Sequence, residues 1–413
     1  MNFKRILSVM GPGLLYAAAA IGVSHLVQST RAGAMYGFDL IPFLFIAMVI
    51  KYPFFEFAPR YTNATGKDLL DAYREMGGWA VALYAIITIF TMFAITAAVL
   101  LVTTGIFGFV FNIQLDTLYV GTIILIICAV VLMIGRYSLL DKTIKYVVAI
   151  LAISTIVAVA SASGVKTGYT EFMSNFDFLK RADIFFLIAF IGWMPSPIDV
   201  SVWHSLWSKA KGQTSQNKIS VKDGLLDFRI GYIGTGFIAL AFLSLGALIM
   251  FGSSEGFSPK GVEFSGQLIN MYTSSIGSWA YPVIAVAAVT TMFSTTLTVI
   301  DAYPRVLTPI TQYYFKKQNF NHKSLYWIWM VVIVLGTILL IGAFTSSMQF
   351  MVDLATKLSF ITAPVVAILN YKAVTRKGFP EANKPGNGLL WYARIGIVFL
   401  VLFSLFYIVY LFV

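Results

Sequence analysis

Long apolar runs separated by short polar segments follow one another along the whole chain. A helix needs about 20 apolar residues to cross a bilayer, and most of these runs reach that length. There are eleven of them, at residues 6–35, 39–58, 79–110, 116–135, 143–163, 184–207, 229–251, 277–300, 325–344, 349–371 and 388–412. The pattern predicts an all-α polytopic membrane protein with connector-sized loops.

The composition supports a membrane protein and excludes several other classes. Hydrophobic residues make up 59% of the 413 positions and charged residues only 11%, whereas soluble domains carry about 25% charged residues. A single cysteine, Cys128, excludes a disulfide-bonded scaffold. The lipid bilayer is therefore the expected surrounding of this chain.

The basic residues lie almost entirely on one side of the predicted membrane. With the N-terminus inside, inner segments hold 21 Lys and Arg residues and outer loops hold 4. This positive-inside bias predicts a cytoplasmic N-terminus and an outer C-terminus at Val413. It also accounts for the net charge of +11 without a nucleic-acid partner. Short loops and the lack of a transit pattern favour a bacterial inner membrane.

Two of the predicted spans contain segments that a continuous helix does not tolerate. The first combines Gly11-Pro12-Gly13 with Gly22-Val23-Ser24-His25, and the sixth contains Met194-Pro195-Ser196-Pro197. Paired prolines break a helix, and free backbone groups within a membrane must line a cavity or be buried in protein. Breaks five spans apart predict an inverted-repeat transporter with its site at the breaks. Ordinary kinks are the alternative.

The predicted repeats are residues 1–165 and 180–375, followed by an additional helix at 388–412. Each repeat would hold five spans, and an odd number of spans gives the two repeats opposite orientations.

Polar residues near the two breaks are candidates for the site. With α-helical spacing, His25, Gln28, Ser29 and Ala32 share one face, and so do Ser196, Asp199 and Trp203. Asp199 is the strongest candidate, because ionisable groups inside a membrane are costly and often functional. It could instead cap the helix that follows it.

Four ionisable residues are candidate proton carriers: His25, Asp199, His204 and Glu56. His25 could equally be a hydrogen-bonded packing residue. His204 lies on a different face from Asp199 and is expected near the membrane surface, with a structural role.

Other charges within the spans have simpler interpretations. Asp353 and Lys357 are four residues apart and are expected to neutralise each other. Lys51 and Glu56 share the second span, but their spacing does not allow them to pair. Glu56 could line a vestibule at the inner membrane edge.

The sequence contains no pattern of a known enzyme class. HExxH, GxSxG, P-loop and CxxC motifs are all lacking. We therefore expect a protein without enzymatic activity and without a cofactor.

Several segments, in the right order, resemble the NRAMP (natural resistance-associated macrophage protein) family of proton-coupled divalent-metal transporters. The matching segments are Gly11-Pro12-Gly13-Leu14-Leu15, Arg31-Ala32-Gly33-Ala34, Gly37-Phe38, Ala64-Thr65-Gly66-Lys67-Asp68-Leu69, Met194-Pro195 and His204-Ser205-Leu206. The resemblance covers nearly the whole chain. It implies the LeuT-type fold, in which ten helices form two inverted halves with broken helices 1 and 6, here followed by an eleventh helix.

The resemblance does not extend to the family's metal ligands. An ungapped match places Gly22 at the ligating Asp of span 1 and His25 at the ligating Asn. In span 6, Met194-Pro195-Ser196 stands where the family has Met-Pro-His, and the Ile191 carbonyl lies near the position of the family's carbonyl ligand. The acidic pair of span 3 falls near two phenylalanines.

Two cargoes are therefore considered for a secondary transporter that works by alternating access. The first is a divalent metal ion bound by Asp199, Met194 and His25, with Ser196 as an auxiliary oxygen and protons as a possible coupling ion. The second is a non-metal solute or small anion, since half-helix N-termini bind anionic groups. A membrane sensor without transport is a third possibility.

Overall fold

The computed structural model describes residues 11–135, 137–163, 176–214, 219–252, 256–315, 320–344 and 347–412, and the elements within these ranges are helical. We number the α-helices in chain order. They are α1 Pro12–Ala20, α2 Thr30–Tyr36, α3 Ile41–Thr65, α4 Leu69–Met76, α5 Gly78–Val110, α6 Thr117–Met133, α7 Tyr137–Ala162, α8 Arg181–Trp193, α9 Val200–Thr214, α10 Val221–Ile249, α11 Gly261–Ile276, α12 Tyr281–Tyr314, α13 His322–Ala343, α14 Met348–Thr375 and α15 Asn387–Phe412. A π-helical segment covers Ser24–Ser29, and short 3₁₀ turns cover Ser278–Ala280 and Glu381–Asn383.

The predicted spans reappear as helices. Within the described ranges, seven helices are long and apolar enough to cross a membrane, namely α3, α5, α10, α12, α13, α14 and α15. Shorter apolar helices at Thr117–Met133 and Tyr146–Ala162 match the fourth and fifth predicted spans. The first and sixth spans are each divided into two shorter helices.

Both divided spans are interrupted where the sequence predicts a break. In span 1, α1 ends at Ala20, and the chain continues as the π-helical segment Ser24–Ser29 and then as α2. Span 6 ends α8 at Trp193 and begins α9 at Val200, with the proline-containing linker between them. The division into repeats at 1–165 and 180–375, with the helix at 388–412, stays a prediction.

The glycines that open span 1 serve packing and capping rather than the break. The carboxylate of Asp227 on α10 accepts hydrogen bonds from the backbone N–H groups of Gly11, at 3.0 Å, and Gly13, at 2.7 Å. A Cβ atom at Gly13 would lie 2.2 Å from the Asp227 carbonyl oxygen. Only glycine allows this close approach, so the N-terminal end of α1 is held against α10.

Two helices lie in segments that the hydropathy pattern predicts as loops. Residues 252–276 contain α11. This helix has 16 residues with its apolar side chains on one face, so it has no apolar run long enough to be predicted as a membrane span. The segment after the second span contains α4, which begins with a reciprocal capping box between Asp68 and Asp71. Neither helix has a long apolar run, and this is why the pattern misses them.

A charged cluster joins α4 to the second half of span 6. The Lys209 ammonium donates to Asp68 and Asp71, each at 2.7 Å. Partial burial acts to raise the pKa of Asp71, but the hydrogen bond and charge of Lys209, the Asp68 N–H and the charge of Arg74 together outweigh it, and the pKa of this carboxyl lies below its ordinary value. Asp71 is thus charged at neutral pH and keeps the two elements paired.

Candidate functional site

A small cavity of about 40 Å³ lies between the two breaks. Apolar side chains of α1, α5, α9 and α12 form most of its wall, together with the indoles of Trp193 and Trp203. The hydroxyl-bearing residues Ser24, Ser196 and Thr295 complete it. A water molecule needs about 10–15 Å³ on this measure, so the cavity has room for an ion or a very small group in this conformation.

The polar groups of the cavity wall are neutral. The Ser24 hydroxyl donates to the Ala20 carbonyl at 2.5 Å, and the Thr295 hydroxyl donates to the Thr291 carbonyl at 2.9 Å. The Ser196 hydroxyl lies 3.3 Å from the Tyr16 hydroxyl. These oxygens keep acceptor capacity toward a cargo, but they provide no charge that could balance a dication.

His25 lies beside this cavity and is fully buried. Its Nδ1 is 2.8 Å from the Ser24 hydroxyl, and its Nε2 is 2.9 Å from the Thr235 carbonyl on α10. Because a carbonyl only accepts, Nε2 carries a proton and donates it to this oxygen. The Nε2–H bond ties the π-helical segment to α10, which is the arrangement of a histidine that joins two helices.

Gly22, at the position of the family's ligating Asp, has no room for a side chain. A Cβ atom there would lie 2.9 Å from Thr295 Cγ2 and 3.0 Å from Thr295 Oγ1. The first break packs directly against α12 at this point. A carboxylate in the family's position would require these two elements to separate.

The second break is bound by a cation that belongs to the protein itself. The Lys51 ammonium, from α3, donates to the carbonyls of Ile191 at 2.6 Å, Gly192 at 2.8 Å and Ser196 at 3.3 Å. The Ile191 carbonyl was expected near a metal, and it holds this ammonium instead. The sequence analysis did not identify Lys51 as a site residue. A lysine in an apolar span, with no acidic residue at helical pairing distance, could have indicated a partner elsewhere in the chain.

Met194 and Asp199 occupy different surroundings at the same break. Met194 is buried, and its sulfur accepts a hydrogen bond from the Ser29 hydroxyl at 3.5 Å. Asp199 directly precedes α9, where its carboxylate accepts from the N–H groups of Asp199 and Val200. It lies in electrostatic range of Lys51.

Three buried tyrosines also lie within electrostatic range of the Asp199 carboxylate: Tyr73, Tyr84 and Tyr303. They come from α4, α5 and α12. Asp199 therefore lies where a residue capping α9 would lie and within electrostatic range of several polar groups, so both interpretations made from the sequence remain compatible with its position.

The two shared faces predicted from α-helical spacing are wrong. Residues 24–29 are π-helical, so His25 points to α10 while Ser29 contacts Met194. Ser196 lies before α9 begins, and it shares the cavity wall with Trp203 rather than with Asp199. Within the described ranges, no group of three or more His, Cys, Asp or Glu side chains is close enough to hold a metal ion together.

The other two candidate proton carriers lie away from the cavity wall. His204 is buried within the protein and packs edge-on against Tyr16 at 5.9 Å between ring centroids. Its expected position near the membrane surface stays a prediction. Glu56 is buried and paired with Arg60 at 2.5 Å and Arg229 at 3.5 Å, and it accepts the Tyr52 hydroxyl at 2.5 Å. Its contacts tie α3 to α10 and favour a structural role.

Beyond the first break, an ion pair joins span 1 to α14. Arg31 donates to Asp353 at 2.8 Å and to Gln28 at 3.1 Å. Asp353 and Lys357 do not form the expected direct pair, because the Lys357 ammonium lies over the Phe185 ring, 5.2 Å from its centroid, and interacts with the Asp353 charge only at longer range. Arg31 thus locks the second half of span 1 to a helix of the other half of the chain.

Comparison with known proteins supports the fold. The sequence model of the Nramp family, described as natural resistance-associated macrophage protein-like, matches residues 13–410. An uncharacterised protein of Pasteurella multocida is 36% identical over 405 residues, which are 97% of this chain and 92% of that protein.

Two solved structures have the same architecture. The Eremococcus coleocola manganese transporter has a TM-score of 0.75 at 13% identity, covering 98% of this chain and 86% of its own. The transporter MhsT in complex with L-phenylalanine has a TM-score of 0.68 at 14% identity, covering 95% and 98%.

The divided spans and these structural matches define a multi-pass membrane protein of the LeuT-type fold. The matching family model describes a family of transporters and not of enzymes. The predicted fold class is confirmed. Because the family model spans nearly the whole sequence, this chain belongs to the Nramp family.

Proposed function

We propose that the chain is a secondary active transporter that moves its cargo by alternating access through the cavity between the two broken helices. The observation that carries this proposal is that both breaks border one cavity, formed by Ser24 on one side and Trp193 and Ser196 on the other. Broken helices in such folds present free backbone groups and helix ends to the cargo.

The first proposed cargo is a divalent metal ion, and membership of the Nramp family supports it. The structural match to a manganese transporter points the same way. Asp199 would provide the negative charge, with Met194 and His25 as softer ligands and Ser196 as an oxygen ligand. Asp199 and Met194 lie outside the cavity wall of the described conformation and would have to turn towards it. His25 or Asp199 would carry a coupled proton. In the described conformation Lys51 partly offsets the charge of Asp199, so the ion would bind after the ammonium has moved away.

A specific observation favours a second cargo, a small anion or uncharged organic solute. Lys51 supplies a buried positive charge at the break, and the cavity wall contains hydroxyls and indoles but no carboxylate. Burying a dication without an anionic partner is strongly unfavourable. MhsT, with the same fold, was solved with an amino acid.

Replacing Asp199 by Asn separates the two cargoes. For a metal cargo we expect uptake to fall by about thirtyfold or more, because losing the charged partner of a buried ion costs about 2–5 kcal/mol. The measurement is uptake of Mn²⁺, Cd²⁺ and Mg²⁺ into sealed proteoliposomes, with and without a pH gradient. Glu263→Gln, which removes an exposed carboxylate on α11, is the matched control and should behave as the unmodified protein.

Metal uptake that is undiminished in Asp199→Asn would show that this carboxylate is not a ligand. If the folded, unmodified protein moves none of the three metals, the metal cargo is wrong. Counterflow of labelled monocarboxylates and amino acids in the same vesicles then tests the second cargo, for which Asp199→Asn should leave uptake equal or increase it.

A further inference from the structure

The carbonyl oxygens at the end of α8 form a cluster of acceptors with one common neighbour. Ile191 and Gly192 belong to the last turn of α8, where carbonyls lack the full set of helical partners. The Ser196 carbonyl comes from the linker that follows. The C-terminal end of a helix also carries partial negative charge, so this cluster attracts a cation.

The ammonium of Lys51 fills this cluster completely. An ammonium has three N–H donors, and Lys51 has three carbonyl acceptors, at 2.6, 2.8 and 3.3 Å. The side chain is fully buried. A buried charge without such partners would be very costly, so these carbonyls fix where the ammonium lies.

The acceptor cluster is held in place by its neighbours rather than by Lys51 alone. A Cβ atom at Gly192 would lie 2.3 Å from the Thr356 carbonyl, so α8 packs directly on α14 at this point. The Trp193 indole donates to the Ser359 hydroxyl on α14 at 2.8 Å. The carbonyls therefore have support that remains when the lysine side chain is shortened.

We propose that the end of α8 is a built cation-binding site whose resident occupant is the Lys51 ammonium, and that a small primary alkylammonium ion occupies it when the side chain is removed. The tethered cation makes a soluble cation unnecessary at this break. The inference concerns the described conformation, in which the ammonium occupies the break, and it does not depend on which cargo is transported.

Shortening Lys51 to Ala and supplying the missing fragment tests this site. Lys51→Ala removes three methylene carbons and the ammonium, which n-propylammonium replaces atom for atom. We expect saturating n-propylammonium to raise the thermal unfolding midpoint of purified Lys51→Ala by about 3 °C or more, by mass action on the folded state. The unmodified protein, whose site is filled, should show no such shift.

Two controls separate a cation site from a simple void. n-Propanol has nearly the same size without the charge and should not stabilise Lys51→Ala. Lys51→Met fills the space without the charge, and n-propylammonium should not stabilise it. An equal effect of propanol, or an equal shift in the unmodified protein, would overturn the proposal.

Recovery of the variant gives a second measurement. If Lys51→Ala does not survive solubilisation alone, the proposal predicts that folded protein is recovered when n-propylammonium is present throughout purification. Failure to recover it in the amine would show that no soluble cation occupies the site. A Lys51→Met protein as stable as the unmodified chain would show that the carbonyls need no cation, and would also contradict the proposal.

Discussion

Gly22→Val is expected to reduce transport by about tenfold or more while the protein remains folded. The first break lies so close to α12 that even one Cβ atom would approach Thr295 Cγ2 to 2.9 Å. Adding carbon atoms to a packed site typically costs 1–3 kcal/mol and displaces its neighbours. Here the displaced neighbours form the cavity wall. Proteoliposome uptake measures the transport loss, and thermal unfolding of the purified variant checks the fold.

The same geometry provides a rescue and a control for this prediction. Thr295→Ala removes both nearby side-chain atoms, so the double variant Gly22→Ala, Thr295→Ala should transport better than Gly22→Ala alone. At Gly212 on α9 a Cβ atom meets nothing within 4 Å, so Gly212→Ala should transport normally. Full activity of Gly22→Val would show that the two elements need not approach this closely during transport.

The second large effect is expected for Asp353→Ala. The Arg31 side chain is only 4% exposed, and Asp353 is its ion-pair partner. Removing the carboxylate leaves the buried Arg31 guanidinium without its charged partner, which costs about 3–5 kcal/mol in a fully buried pair and less here, because Asp353 is 23% exposed. We expect a clear fall in the thermal unfolding midpoint and loss of transport, since the second half of span 1 is no longer held to α14.

A double variant distinguishes the buried charge from a general packing defect. Arg31→Leu combined with Asp353→Leu removes both charges, and such replacements are often close to neutral in stability. The double variant should therefore be more stable than Asp353→Ala. Lys357→Met is the control, because Lys357 lies over an aromatic ring rather than in an ion pair. A midpoint for Asp353→Ala equal to that of the unmodified protein would refute the expected role of this pair.

The fold was predictable because its main signals are local in sequence. Apolar runs of membrane length predict spans without any knowledge of tertiary contacts, and Pro195 and Pro197 interrupt a helix whatever surrounds it. Helix α11 was missed for the same reason, since an amphipathic surface helix leaves no long apolar run. Local patterns therefore identify the spans and their breaks, but not the helices between them.

The site was less predictable because its contacts join residues far apart in the chain. Lys51 binds carbonyls about 140 residues away, and backbone acceptors leave no mark in a sequence. Likewise, Arg31 competes with Lys357 for Asp353 across more than 300 residues. The face assigned to His25 failed for a different reason, because π-helical backbone at Ser24–Ser29 changes the angular spacing of side chains.

Chemical modification of a Ser196→Cys variant tests most directly whether cargo passes between the two broken helices. Ser196 lines the cavity, and the native Cys128 is buried, so a Cys128→Ala background leaves one reporter thiol. A water-soluble methanethiosulfonate reagent should stop uptake into proteoliposomes, and cargo should slow the reaction. A fully modified protein that still transports at the unmodified rate would contradict the account.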